Sequence, residues 1–118
     1  MDVYESKHLR LLACSNENPA ACVDLLNIDF FHQMAYVAVI TQAEHREKGL
    51  AEFALNGICE RAKNDLGLRN IFAEVSDSNE ASKKLFTKCG FKVIGKKNQA
   101  RKEMGNWVDL LIFQLELV

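Results

Sequence analysis

"MAYVAVITQAEHREKGLAEFALNGICERAKNDLGLRNIFAEVS", residues 34–76, changes its periodicity twice, and those changes decide the fold. Its first part, "MAYVAVIT" (34–41), is rich in β-branched residues and mostly apolar, as suits a central strand covered on both faces. Over 48–66, Leu50, Ala54, Leu55, Ile58, Ala62 and Leu66 recur at spacings of three and four, with Glu52, Asn56, Glu60, Lys63 and Asn64 on the other side. That is the period of an amphipathic helix. Gly67 is a natural residue to end it. Residues 70–76, "NIFAEVS", return to a strand-like alternation. Strand, helix and strand in this order predict a right-handed crossover between two parallel strands.

On the N-terminal side, "HLRLLACS" (8–15) and "AACVDLLNID" (20–29) read as strands joined by the turn "NENP" (16–19), an antiparallel hairpin. On the C-terminal side, "DSN" opens a helix, "EASKKLFTKC" (80–89), capped by Asp77 or Asn79 and ended by Gly90. "FKVIGKK" (91–97) reads as a strand, "NQARKEMGN" as a polar loop or strand extension, and "WVDLLIFQLELV" (107–118) as a long final strand. The expected class is α/β (α+β): a mixed sheet with hairpins at both ends and a parallel pair in the middle. At 118 residues the chain is expected to form one domain, 1–118.

A net charge of -1 gives no electrostatic reason to expect nucleic acid or an anionic membrane as a partner. No stretch is apolar enough to span a bilayer, and "MDVYESKHLRLLAC" has no signal-type apolar region. Cys14, Cys22, Cys59 and Cys89 form no Cys-x-x-Cys pair, so no metal site is expected. They read as free thiols in a reducing cytoplasm, with a Cys14–Cys22 bridge across the first hairpin as the oxidised alternative.

The junction "EHREKGLAEF" (44–53) crowds Arg46, Glu47, Lys48 and Gly49 against Leu50 and Ala51, where strand passes into helix. A helix N-terminus leaves amide N–H groups unpaired and carries partial positive charge. A phosphate there accepts several hydrogen bonds at once. Gly49 admits a close approach, Ala51 keeps the first turn small, and Arg46 and Lys48 add charge. The segment suits a phosphate or pyrophosphate, yet it lacks both the Gly-Lys-Ser/Thr of a P-loop and the three-glycine dinucleotide fingerprint.

"REKGLA" (46–51) resembles the Arg/Gln-x-x-Gly-x-Gly/Ala motif of the GCN5-related N-acetyltransferases. "NEASKKLFTKCGF" (79–91) resembles that superfamily's Asn-x-x-Ala-x-x-x-Tyr-x-x-x-Gly-Phe segment. "VDLLNIDFFHQMAYVAVI" looks like the corresponding stretch of the branch holding ribosomal-protein N-terminal and spermidine acetyltransferases. "GNWVDLLIFQLEL" looks like the family's last strand. The resemblance implies a mainly antiparallel sheet whose central parallel strands splay apart around acetyl-CoA. The cosubstrate's arm would pair with backbone at Val39, Ile40 and Thr41, its pyrophosphate with the amides of 46–51, and its arm again with the Asn79 amide. The acetyl group would pass to a primary amine, either a small molecule or a protein N-terminus, by direct attack.

Two departures matter. Phe86 stands where the family has the Tyr that protonates the departing thiolate, leaving Cys89 as the candidate acid. Tyr36 stands where the resembling branch has a Glu base, and a phenol with pKa near 10 is a poor base, leaving Glu74 as the substitute. His32 and Asp29 are lesser candidates. The family's usual first strand and two helices have no counterpart here, so three expectations stand open: an incomplete acceptor site, one completed by a second subunit in a homodimer, or a chain that is a fragment or starts late. The competing readings are a CoA-binding module with little turnover, and a structural subunit whose long last strand pairs with another chain.

Overall fold

A computed structural model describes residues 2–15, 18–41 and 49–118. Its elements are α1 (Val3–Ser6), β1 (Leu9–Ser15), β2 (Asn18–Asp29), β3 (Met34–Thr41), α2 (Leu50–Asn64), β4 (Asn70–Ser76), α3 (Glu80–Lys88), β5 (Lys92–Glu103) and β6 (Asn106–Glu116). The strands form one sheet in the order β1-β2-β3-β4-β6-β5. β3 and β4 are its parallel pair; the other neighbours run antiparallel.

Both longer helices cover the same face. Through the register, Leu9, Leu25, Val37, Ala35, Ile71, Ala73 and Phe113 share it. α2 turns Ala51, Ala54, Leu55, Ile58, Cys59 and Ala62 inward, and a Cβ at Gly57 would meet Leu11 Cδ1 at 3.9 Å. α3 buries Phe86, which lies edge-on to Phe91 at 5.0 Å and tilted against Phe113 at 5.9 Å. An ion pair from Lys88 to Glu52 (3.1 Å) ties the two helices together. The opposite face carries no helix among the described residues and leaves Leu12 and Ile40 exposed at 54 % and 65 %. Set into it is Asp24, which is 8 % exposed and accepts from Arg10 at 2.6 and 3.0 Å.

Several expectations needed correction. β6 lies between β4 and β5, so the last strand offers no free edge; the edges are β1 and β5. A bulge after Ala13 sets Cys14 opposite Pro19, while Cys22 faces Leu12, so these two thiols do not meet across the hairpin. All four cysteines are free. Asn18 and Pro19 belong to β2 rather than to the turn. Of the two readings of the polar run 98–103, the strand extension holds: it continues β5, paired with β6 as far as Glu103↔Asn106. Helix α2 stops at Asn64, and Gly67 (φ 66°) then turns the chain so that Leu68 N–H donates to Ala62 O at 2.9 Å. The short α1 has no counterpart in the sequence reading.

Candidate active site

β3 and β4 pair only at Met34↔Asn70, Ala35↔Ile71 and Tyr36↔Phe72. The closed end is pinned by the Gln33 carbonyl, which accepts from Arg69 N–H at 2.7 Å. Beyond Tyr36, each strand stays in register with its other neighbour: β3 with β2 out to Ala21↔Thr41, and β4 with β6 out to Ser76↔Leu110. The two strands therefore diverge from residue 37 onward, and the backbone of Val39, Ile40 and Thr41 is unpaired toward β4. Such an edge can accept an extended arm as an added strand.

The divergence opens into a cleft of about 820 Å³. Val39 and Ile40 form one wall; Gly49, Ala51 and Glu52 bring the start of α2; Asn79, Ser82 and Leu85 bring the start of α3; Glu103 enters from β5. Gly49 is the N-cap of α2 in the left-handed region, φ 73°, with no side-chain cap. The first amides of α2 thus meet the cleft without a protein side chain from the cap, and a residue without a Cβ is needed there. Arg46, Glu47 and Lys48 lie outside the described residues. Leu50 is half-buried against the core.

Asn79 caps α3: its Oδ1 accepts from Ser82 N–H at 3.1 Å. That leaves the amide NH2 with two donors for a ligand in the cleft. Ser82, rather than Ala, fills the fourth position of the second motif, counted from Asn79.

Tyr36, at the family's base position, and Glu74, the substitute base candidate, share the face away from the helices. Glu74 accepts from Lys97 at 2.6 Å, and the Lys97 ammonium is held above its ordinary pKa first by that carboxylate and further by Tyr36. The Lys97 ammonium therefore already occupies this carboxylate. Phe86 is 3 % exposed within the aromatic cluster, and Leu85 instead reaches the cleft. Cys89 caps the C-terminus of α3, half-buried. Burial, then the Glu52 charge, pushes its thiol upward, so it keeps its proton and is a reluctant acid. Asp29 and His32 bond each other at 2.9 Å in the exposed turn before β3. Among the described residues no group of three or more His, Cys, Asp or Glu could hold a metal ion, and no helix is long and apolar enough to cross a membrane.

Sequence reasoning missed Glu103. It lay in a run read as a polar loop or strand extension, and only the pairing of β5 with β6 brings it beside Ser76 and Ser78, whose hydroxyls both donate to it.

The chain matches the model of the acetyltransferase (GNAT) family over residues 2–91. It is 34 % identical over 80 residues to an L-methionine sulfoximine/L-methionine sulfone acetyltransferase of Pseudomonas paraeruginosa, covering 68 % of this chain and 46 % of that one. It is 30 % identical over 94 residues to the L-amino acid N-acyltransferase MnaT of Escherichia coli, covering 80 % and 54 %. The chain spans about half the length of these relatives. Among solved structures, a mutant of spermidine N-acetyltransferase SpeG from Vibrio cholerae superposes with a TM-score of 0.89 at 22 % identity, covering 98 % of this chain and 69 % of that one. A dodecameric form of that enzyme gives 0.88, covering 98 % and 68 %.

Proposed function

The chain belongs to the GNAT acetyltransferase family, and from that premise we propose that it moves an acetyl group from acetyl-CoA to a primary amine, a small molecule or a protein N-terminus. The observation that carries this reading is the end of β3–β4 pairing at Tyr36↔Phe72 and the cleft that follows. Acetyl-CoA supplies an activated thioester. In this reading the backbone of Val39 to Thr41 binds the cosubstrate's arm, and an N–H of that edge polarises the acyl carbonyl. The α2 amides from Gly49 onward, with Arg46 and Lys48, hold the pyrophosphate, and the Asn79 amide orients the arm. The protein's contribution is then mainly placement of amine against thioester, with exclusion of water from the cleft. The amine's proton leaves to solvent or through Glu74, which already accepts a hydrogen bond from Lys97.

A CoA-binding module with little turnover is the second reading. It is favoured by Phe86, a side chain without a proton to give, packed in the core. Thiol release from acetyl-CoA, followed against a panel including L-methionine sulfone, spermidine and a peptide N-terminus, separates the two. Amine-dependent release supports the enzyme; binding of acetyl-CoA with release no faster than its hydrolysis supports the module. The four free thiols support a reducing, cytoplasmic setting, and the uncovered sheet face supports assembly of two or more copies, which sizing by light scattering tests.

A further inference from the structure

The two edges of the sheet, β1 and β5, are built differently. β5 carries Lys92, Lys96, Lys97, Arg101 and Lys102 within its 12 residues, and its register with β6 shifts twice. Cations and bulges of this kind keep an edge from pairing with another chain. β1 has neither device between Leu9 and Ala13. Its pairing with β2 is regular there, and its one charged residue, Arg10, is held by Asp24 of its own sheet at 2.6 and 3.0 Å. The side chains of this edge are apolar on both faces. Leu9 and Leu11 are half-buried on the helix face, packed against the core without being closed over by it. Leu12 is exposed on the open face, in one row with Cys22 and the exposed Ile40. Helix α1 does not lie along the edge. It is tied to the far end of β2, where Ile28 N–H donates to Lys7 O at 3.1 Å and Tyr4 stacks on Phe30 at 4.8 Å.

We propose that the outer edge of β1 pairs antiparallel with β1 of a second copy of this chain, so that one sheet runs through both copies. This is independent of acetyl transfer; it rests on the assembly reading above and deepens it by naming the contact. A second copy fits because the edge is complementary to itself. A two-fold axis near Leu11 and Leu12 turns the strand onto itself in the antiparallel sense. The backbone N–H and C=O groups that β1 turns away from β2 then find partners. Leucines of each copy cover those of the other on both faces of the joined sheet. Arg10 lies off the axis with its charge met by Asp24, so the contact opposes no like charges. The same operation at β5 sets cations against cations. A charged peptide gains little at β1, where the one charged residue is already neutralised.

The test sizes the 118-residue chain by light scattering across a concentration series, for wild type, Leu12→Lys, Leu12→Thr and Ile40→Lys. Both positions are exposed, so each variant keeps its core, and circular dichroism checks the fold. Wild type is expected to dimerise. Leu12→Lys places like charges at the contact, twice by symmetry, and is expected to raise the dissociation constant at least about tenfold. Leu12→Thr keeps strand preference while removing apolar area, so it is expected to raise the constant by less, and it guards against a folding defect in the first variant. Ile40→Lys, two strands in from the edge on the open face, is expected to leave the constant unchanged. Amide exchange in wild type is expected to slow across β1 as concentration rises, with β5 unaffected; slowing at β5 instead overturns the proposal. A dimer that Ile40→Lys breaks and Leu12→Lys does not also overturns it, and leaves assembly through the open face standing. A wild type that is monomeric at every concentration overturns both.

Discussion

Tyr36 of β3 and Phe72 of β4 are the last residues paired across the parallel strands, and their rings meet at 5.8 Å, tilted by 40°. They close the apex of the wedge. Past them, neither strand gives up its outer partner, so the opening is maintained by β2 and β6 rather than by anything within the cleft. An inner backbone edge left without hydrogen bonds is costly unless water or a ligand completes it. The wedge therefore leaves backbone donors and acceptors of β3 and β4 open to water or a ligand.

In the proposed reading Gly49 lies where the cosubstrate's pyrophosphate binds. Its φ of 73° is strained for any residue with a Cβ, although a Cβ would touch nothing within 4 Å. Gly49→Ala is expected to cost about 1 kcal/mol in unfolding free energy through backbone conformation alone. Gly49→Glu adds a negative charge at the same helix end. It is expected to weaken acetyl-CoA binding by about tenfold or more with a similar small stability loss, since in the proposed reading its carboxylate meets the pyrophosphate, a charge of like sign, at that helix terminus. Calorimetry and chemical denaturation read the two effects separately.

Asn79 caps α3 and, in the proposed reading, also binds the cosubstrate; substitution separates the two. Asn79→Ser keeps an oxygen that caps α3, whereas Asn79→Ala loses the cap and about 1 kcal/mol with it. Both lose the side-chain amide. Both variants are expected to bind acetyl-CoA more weakly, but only Ala lowers the unfolding midpoint. Equal CoA affinity in wild type and Asn79→Ser would confine the residue to capping.

Phe86 is held between Phe91 and Phe113. Phe86→Ala is expected to cost about 3–5 kcal/mol, by lost transfer energy plus the cavity left behind. In a domain of this size that threatens folding itself. Urea denaturation measures it.

Asp24 supplies a pH dependence. Arg10 hydrogen bonds hold its carboxyl below the usual range against the opposing effect of burial; His8 Nε2 is also near, at 3.3 Å, but poorly aligned. A depressed carboxyl pKa in the folded state stabilises the fold above the unfolded value, about 3.9, and that contribution fades as pH falls through the folded value. Asp24→Asn is therefore expected to melt below wild type at pH 7, with the gap narrowing below about pH 4. A gap that is constant across that range would assign the effect to packing.

Much of this was legible in the sequence because it is local. The change of period at 34–76 placed β3, α2 and β4, since burial on one helix face or alternate strand residues writes itself into residue order. Gly49 and Asn79 were legible because helix termini demand particular residue types. Glu103 was not: its partners Ser76 and Ser78 lie more than two dozen positions away in sequence, and only a long, polar β5 paired to β6 unites them. The edge position of β5 was hidden for the same reason, because the order of strands depends on distant pairings. The role of Phe86 was obscured in another way. A motif position marks where a side chain stands on the helix, whereas the facing residues, here Phe113 and Phe91, decide whether it looks into core or cleft.

The central claim, that acetyl-CoA lodges where β3 and β4 part, is tested most directly by backbone amide shifts in the labelled protein on titration with CoA. Saturable perturbations are expected at Val39, Ile40, Thr41, Gly49, Leu50, Ala51 and Asn79, with the closed end at Ala35 and Ile71 unmoved. Binding that leaves those amides unshifted while moving others, or no binding to the folded protein at all, would contradict it.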